Sequence, residues 1–404
     1  MSFWRLYAVS LVGLLLLADV PASAQSLNEV VAGRLSFNCR GLSGPGIAGS
    51  FPPPNNFNPD YGPQLLPLCG NTIANQGSAG ASSGGGIDSA EDRVSSLGAE
   101  QAIRRRSQER RADSDRGLGL FFTADYERFE QDTTRFESGF GRDTVGGTGG
   151  IDYILNRFVL LGLGVAYAHE FGNYISGGGF DHDRYGVFLY TSLSPMPAAF
   201  VDLVAGYVRK EYHFERRVSL DIQQATGFVR HVEGPTRADT HGDEFRISAY
   251  GGYDFILLRN ITVGPRLGVS YKDATIDRYR ESGGTGVELG YDNQNIVSLT
   301  TQAGVYASMA INTGVGVLVP QTTIEYIHEF MDDQRSVGFT FNQDLRGRRF
   351  LFQTDPPDRD YVNVAVGASM LFPGGVTGFA NFRELVGYRD RTSHAVTLGV
   401  RFAF

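Results

Sequence analysis

From Leu118 to the last residue, this chain is built of extended segments in which apolar and polar residues take turns. The last segment is the cleanest. In His394–Phe404, the residues Val396, Leu398, Val400, Phe402 and Phe404 fall on one side of an extended chain, and Ala395, Thr397, Gly399, Arg401 and Ala403 fall on the other. Successive side chains of a strand point to opposite faces, so one face here is wholly apolar and the other small or charged. A strand with lipid on one face and a polar lumen on the other needs that pattern. Taken alone, the stretch also fits an ordinary edge strand. The same alternation runs through Glu244–Phe255, Ile261–Lys272, Val297–Met309 and Val362–Phe372.

The pattern predicts twelve strands, near 118–128, 143–155, 158–169, 183–194, 199–212, 242–257, 260–273, 294–311, 315–328, 361–372, 375–387 and 392–404. Tight connections follow every second strand: Asn156–Arg157, Pro195–Pro197, Leu258–Asn260, Asn312–Gly314 and Pro373–Gly374. The intervening connections are mostly long and polar, the longest near 213–241 and 329–360. Short turns at one rim and long loops at the other are the asymmetry of outer-membrane barrels, with the short turns periplasmic. The expected fold is therefore all-β, a 12-stranded antiparallel transmembrane β-barrel over 118–404.

On this reading the inner face carries Asp125, Glu127, Asp152, Asp202, Glu244, Arg246, Asp254, Arg266, Lys272, Glu325, Arg383 and Arg401. Charges of both signs on one face are costly in a dry core but stable in a wet or plugged lumen. Strand glycines beside tyrosines, such as Gly164 with Tyr167, Gly206 with Tyr207, Gly252 with Tyr253 and Gly304 with Tyr306, suggest rings covering glycine kinks in a curved wall. Tyr126, Phe158, Tyr271, Phe372, Phe402 and Phe404 lie near strand ends, where an interfacial girdle belongs.

The chain before the barrel divides into three. Residues 1–24 carry Arg5, a short apolar run and Ala22-Ser23-Ala24, the parts of a secretory signal peptide, which predicts a mature chain from Gln25. Residues 25–87 are rich in Gly, Pro, Asn and Ser, a composition that buries too little apolar surface to order itself. Their one expected staple is a disulfide between Cys39 and Cys69, the only two cysteines of the chain, in an oxidising compartment. Residues 88–117 hold the one helical stretch, from Asp88 with Glu91 in capping-box spacing to about Ala112. Its basic end, Arg104, Arg105, Arg106, Arg110 and Arg111, fits either a helix threaded through the lumen onto inner carboxylates or a solvated basic linker.

A net charge of −8 argues against a general nucleic-acid binder. The seven histidines read as scattered over strand ends and loops, without HExxH or CxxC spacing, which leaves a metal unsupported. Asp181-His182-Asp183 reads as a solvated surface loop, and the glycines Gly146–Gly150 lie within a strand, where they cannot cradle a phosphate. No G-x-S-x-G motif occurs. Neither an enzyme activity nor a cofactor is expected.

Val317-Leu-Val-Pro-Gln-Thr-Thr-Ile-Glu-Tyr-Ile-His-Glu-Phe330 is similar to a strand of autotransporter (type V secretion) translocator domains, in which Pro is followed by a Tyr-x-His-Glu-Phe ending. The closing stretch His394–Phe404 and the order of segments over 88–404 resemble the same family. The resemblance implies a barrel in the outer membrane of a Gram-negative bacterium that carries its N-terminal segment to the cell surface. It also implies a monomer that contacts outer-membrane lipid, periplasmic chaperones and the barrel-assembly machinery, which reads Val396, Leu398, Val400, Phe402 and Phe404 as an assembly signal. A passive channel, or an adhesin acting through the long loops, remains the alternative.

Overall fold

The computed structural model describes residues 117–134, 136–156, 158–196, 198–223, 229–257 and 260–404. The signal peptide, the Cys39–Cys69 staple and the basic helix with its five arginines lie outside the described residues.

Twelve long strands form the barrel: β1 (Leu118–Gln131), β2 (Phe140–Asn156), β3 (Val159–Tyr174), β4 (Gly178–Met196), β5 (Ala199–Gln223), β6 (Val229–Tyr253), β7 (Ile261–Ile276), β8 (Gln294–Met309), β9 (Val317–Glu329), β10 (Asp360–Phe372), β11 (Val376–Val386) and β12 (Arg391–Ala403). Each pairs antiparallel with the next, and β12 pairs back onto β1 from Gly119↔Ala403 to Gln131↔Arg391, so the sheet closes and leaves no open edge. Closure is what lets strands cross hydrocarbon, because every backbone N–H and C=O finds a partner within the sheet. No helix occurs among the described residues.

The side chains are arranged inside out. Along β4, Tyr185, Val187 and Leu189 are exposed, Val187 by 53% and Leu189 by 62%, while Phe188 and Tyr190, of the opposite parity, are buried. The exposed row continues around the wall through Leu163, Val165, Ile247, Leu267, Ile324 and Leu398. A belt of this extent would drive aggregation in water and is stable only against an apolar solvent. The turn after β10 requires glycine twice, since Gly374 and Gly375 have φ of +91° and +86°, conformations that L side chains rarely adopt.

Two expected long loops carry strands. The stretch 213–241 belongs to β5 and β6, whose pairing continues without a break to Gln223↔Val229. It escaped detection because the outward residues of this upper half, among them Glu215, Arg217, Glu233 and Arg237, face water rather than lipid, so apolar alternation survives only on the inner face at Val218, Leu220 and Val232. The segment 329–360 contains the short strands Ser336–Phe341 and Phe350–Gln353. With Tyr279–Arg280 and Leu289–Tyr291 they form a separate four-stranded sheet. That sheet packs on the inner face of the β5–β6 hairpin above the barrel, burying Val218, Leu220, Val232, Tyr279, Leu289 and Phe339 in one cluster.

Candidate functional site

The lumen is the candidate site, and its wall is shaped by glycines opposite rings. Gly162, Gly164, Gly150 and Gly399 lie directly across from Tyr190, Phe188, Phe121 and Phe379 on neighbouring strands. A Cβ on Gly162 would stand 2.0 Å from the Tyr190 ring, and one on Gly164 2.2 Å from Phe188. The covering rings thus come from the next strand. Tyr167, Tyr207 and Tyr253, expected to cover their glycine neighbours, instead point outward and are exposed, and the atom crowding Gly304 beyond its backbone contacts belongs to Glu325 rather than to Tyr306. Odd sequence separations such as 164 to 167 and 206 to 207 put the two residues on opposite faces, so those pairs could not have met.

The twelve charged residues expected inside are buried or half-buried on the inner side of the wall, eleven on strands and Asp254 just past the end of β6, and six of them meet as three ion pairs. Arg401 donates to Asp152, which also accepts from Tyr190 Oη at 3.0 Å. Arg266 meets Asp254 at 2.5 Å, and Arg246 meets Glu244 at 2.7 Å. Asp125 accepts from Thr397 at 2.8 Å and Thr123 at 3.1 Å, Glu127 from Ser393 at 2.7 Å, and Glu325 from the Tyr250 hydroxyl. Asp202, Lys272 and Arg383 are buried on the same face.

A second set of inner charges was missed. Arg142 bonds Glu170 at 3.0 Å and lies 3.8 Å from Glu127, Arg184 pairs with the same Glu170, and His182 is 3.5 Å from it. Lys210 meets Glu244 at 3.0 Å. All are buried. The signal was available: Arg142 shares parity with Asp152, and Lys210 with Asp202. Taking 181–183 as a solvated loop hid His182, which lies in β4 with Asp181, Asp183 and Arg184. All seven histidines lie in strands rather than loops.

The outer face is bounded above by a repeated trio. Tyr126 and Arg128 on β1 hold Asp143 on β2, with bonds of 2.7 and 2.6 Å. Tyr167 and His169 hold Asp183, Tyr207 and Arg209 hold Asp243, and Tyr326 and His328 hold Asp360. In each trio the basic residue sits directly opposite the aspartate in the strand register. These amphipathic sets lie at the end of the apolar belt nearest the long connections, where headgroups begin. The Tyr326–Phe330 motif thus divides its labour by parity: Tyr326 and His328 face outward, while Glu329 faces inward and accepts from Ser298 Oγ at 2.8 Å and Leu299 N at 2.9 Å. On β12 and just past its end, Val396, Leu398 and Phe404 are exposed on the outer face, and Val400 and Phe402 are half-buried beside them. Among the described residues no group of three potential metal ligands occurs.

A closed antiparallel barrel with an apolar exterior and a charged interior defines an outer-membrane β-barrel. The Autotransporter beta-domain family matches residues 120–383, and the chain belongs to it. The fold is shared with the translocator domain of the autotransporter NalP from Neisseria meningitidis, at a TM-score of 0.55 and 15% identity, over 78% of this chain and 100% of that one. Two curated relatives, Esterase EstA of Pseudomonas aeruginosa and of Pseudomonas putida, are each 28% identical over 178 residues, which is 43% of this chain and 26% of the relative. The matched stretch is thus about a quarter of the length of those relatives. Domains of this family are translocators rather than enzymes.

Proposed function

We propose that this barrel carries its own N-terminal segment, residues 25–87, across the outer membrane and anchors it at the cell surface, after export directed by residues 1–24. The observation that carries the reading is the position of the barrel's first residue. Leu118 sits beside Phe404 at the rim of tight turns, so the chain before it reaches the barrel from the periplasmic side. From there residues 88–117 enter the lumen as a helix, with Arg104, Arg105, Arg106, Arg110 and Arg111 directed to inner carboxylates. A helix of about twenty residues spans about 30 Å, the thickness of the bilayer core. The barrel works as a monomer without a cofactor. Periplasmic chaperones escort it, and the assembly machinery engages the outer face of β12. The esterase activity named for the two relatives is not carried over, because the match spans so little of them.

The test is an epitope inserted near Gly84 and probed on intact cells. Antibody binding without permeabilisation is expected; binding only after the outer membrane is opened would overturn the reading.

A further inference from the structure

The inner face of the barrel does not end at the membrane. At its upper rim Phe140 and Phe180 stack edge-on at 5.7 Å, and Phe214 on the hairpin stacks on Tyr279, which stacks on Tyr291, at 5.5 and 4.7 Å. Phe214 packs against both apolar clusters, so one layer joins the rim of β1–β4 to the four-stranded sheet. The sheet is fixed to the hairpin by the buried pair Arg216–Glu281, with bonds of 2.7 and 2.5 Å. Its two contributing loops are tied together by Gln343 Nε2 donating to Glu288 at 2.6 Å and Asn342 Nδ2 donating to Glu281 O at 2.8 Å. Burial pushes the Glu288 carboxyl up, but the amides of Gly284 and Gly286 and the Gln343 side chain outweigh it and hold it below its usual value. Beyond the strand Phe350–Gln353 the chain reaches the β1–β2 connection. There Thr134 Oγ1 donates to Asp355 at 2.5 Å, and Asp355 N donates to Glu137 at 3.1 Å.

We propose that the connections 277–293 and 330–359 form a lid over part of the extracellular mouth of the lumen, latched to the β1–β2 connection through Thr134, Glu137 and Asp355, and that acid holds this latch shut. The lid is anchored on the hairpin and crosses to a connection four strands away, which puts it over the opening rather than beside it. Glu137 is the sensitive part. It is buried, and its Oε1 has no hydrogen-bond partner among the described residues, an arrangement suited to a neutral carboxyl. The charged groups facing it are Arg391 of β12 and Asp355 and Arg335 of the lid. Burial first, then the Asp355 carboxylate, push its carboxyl up from 4.5 to about 7, against the pull of Arg391, the Asp355 amide and Arg335. A carboxyl that holds its proton more tightly in the closed state favours closure most strongly below pH 4.5. That advantage falls as the pH rises through 7, by a factor on the order of a hundred in the closed-to-open ratio.

Hydrogen exchange measured by mass spectrometry on the full chain in detergent micelles tests this, with rates corrected for the chemical effect of pH. Protection of 132–139 and 350–358 is expected to fall together, by at least about tenfold from pH 5 to pH 8. Glu137→Gln keeps the acceptor for Asp355 N without the titrating proton, and should keep both segments as protected at pH 8 as at pH 5. Thr134→Val should weaken protection of 350–358 at both pH values. Constant protection in the native chain, an unchanged pH dependence in Glu137→Gln, or a loss confined to 132–139 would each overturn the latch. None of these readouts depends on where the N-terminal segment ends up, so the lid and the display of that segment stand or fall separately.

Discussion

At the residue scale, the wall is set by contacts a glycine makes possible. The Tyr190 ring lies over Gly162 and reaches Asp152, which also holds Arg401, so one glycine positions a ring and through it a closing ion pair between β2 and β12. Gly162→Ala forces the ring away and is expected to destabilise the barrel by about 1–3 kcal/mol, the usual range for overpacking a tight site. In a Tyr190→Ser background the same alanine should cost little, because the crowding atoms are gone. Urea titration followed by the gel shift between folded and boiled barrel would show this; equal costs in the two backgrounds would contradict it. Most inner charges were legible in the sequence from parity alone, since Asp125, Asp152 and Arg401 each sit between outward apolar neighbours. Their partners were less so, because Arg142, Arg184 and Lys210 lie where the outer face becomes polar and the alternation that locates a strand fades.

At the element scale, the extension of β5 and β6 changes the architecture most. Below the trio of Tyr207, Arg209 and Asp243 the hairpin faces lipid; above it the same strands continue with a charged outer face and an apolar inner one. The inner row Val218, Leu220 and Val232 reads from sequence as scattered apolar residues in a polar stretch. Its meaning depends on a sheet contributed by residues 279–353, a long-range pairing that no local pattern announces. Placing Asp at both Val218 and Leu220 buries charge without partners and should detach the lid while leaving the membrane strands intact. Tryptic cleavage after Arg348 and Arg349 would then speed at least about tenfold while the barrel still migrates as a folded band, an effect of local opening rather than global unfolding. Loss of the folded band would contradict the independence of lid and barrel.

At the scale of the whole molecule, two solvents decide the arrangement. Ionic side chains are buried toward the axis, where both signs meet in bonded pairs, and aliphatic ones face outward, the reverse of a water-soluble core. The twelve strands, their order and the asymmetry of their connections were readable in advance because that reversal imposes a period of two on every lipid-facing segment. The most direct test is a nitroxide scan along β4 in reconstituted bilayers, one label at a time from Tyr185 to Tyr190, reading collision with dissolved oxygen, which concentrates in hydrocarbon. Collision rates should peak at Tyr185, Val187 and Leu189 and dip at Gly186, Phe188 and Tyr190. A flat profile, or peaks at the even positions, would contradict a barrel with lipid outside and charge within.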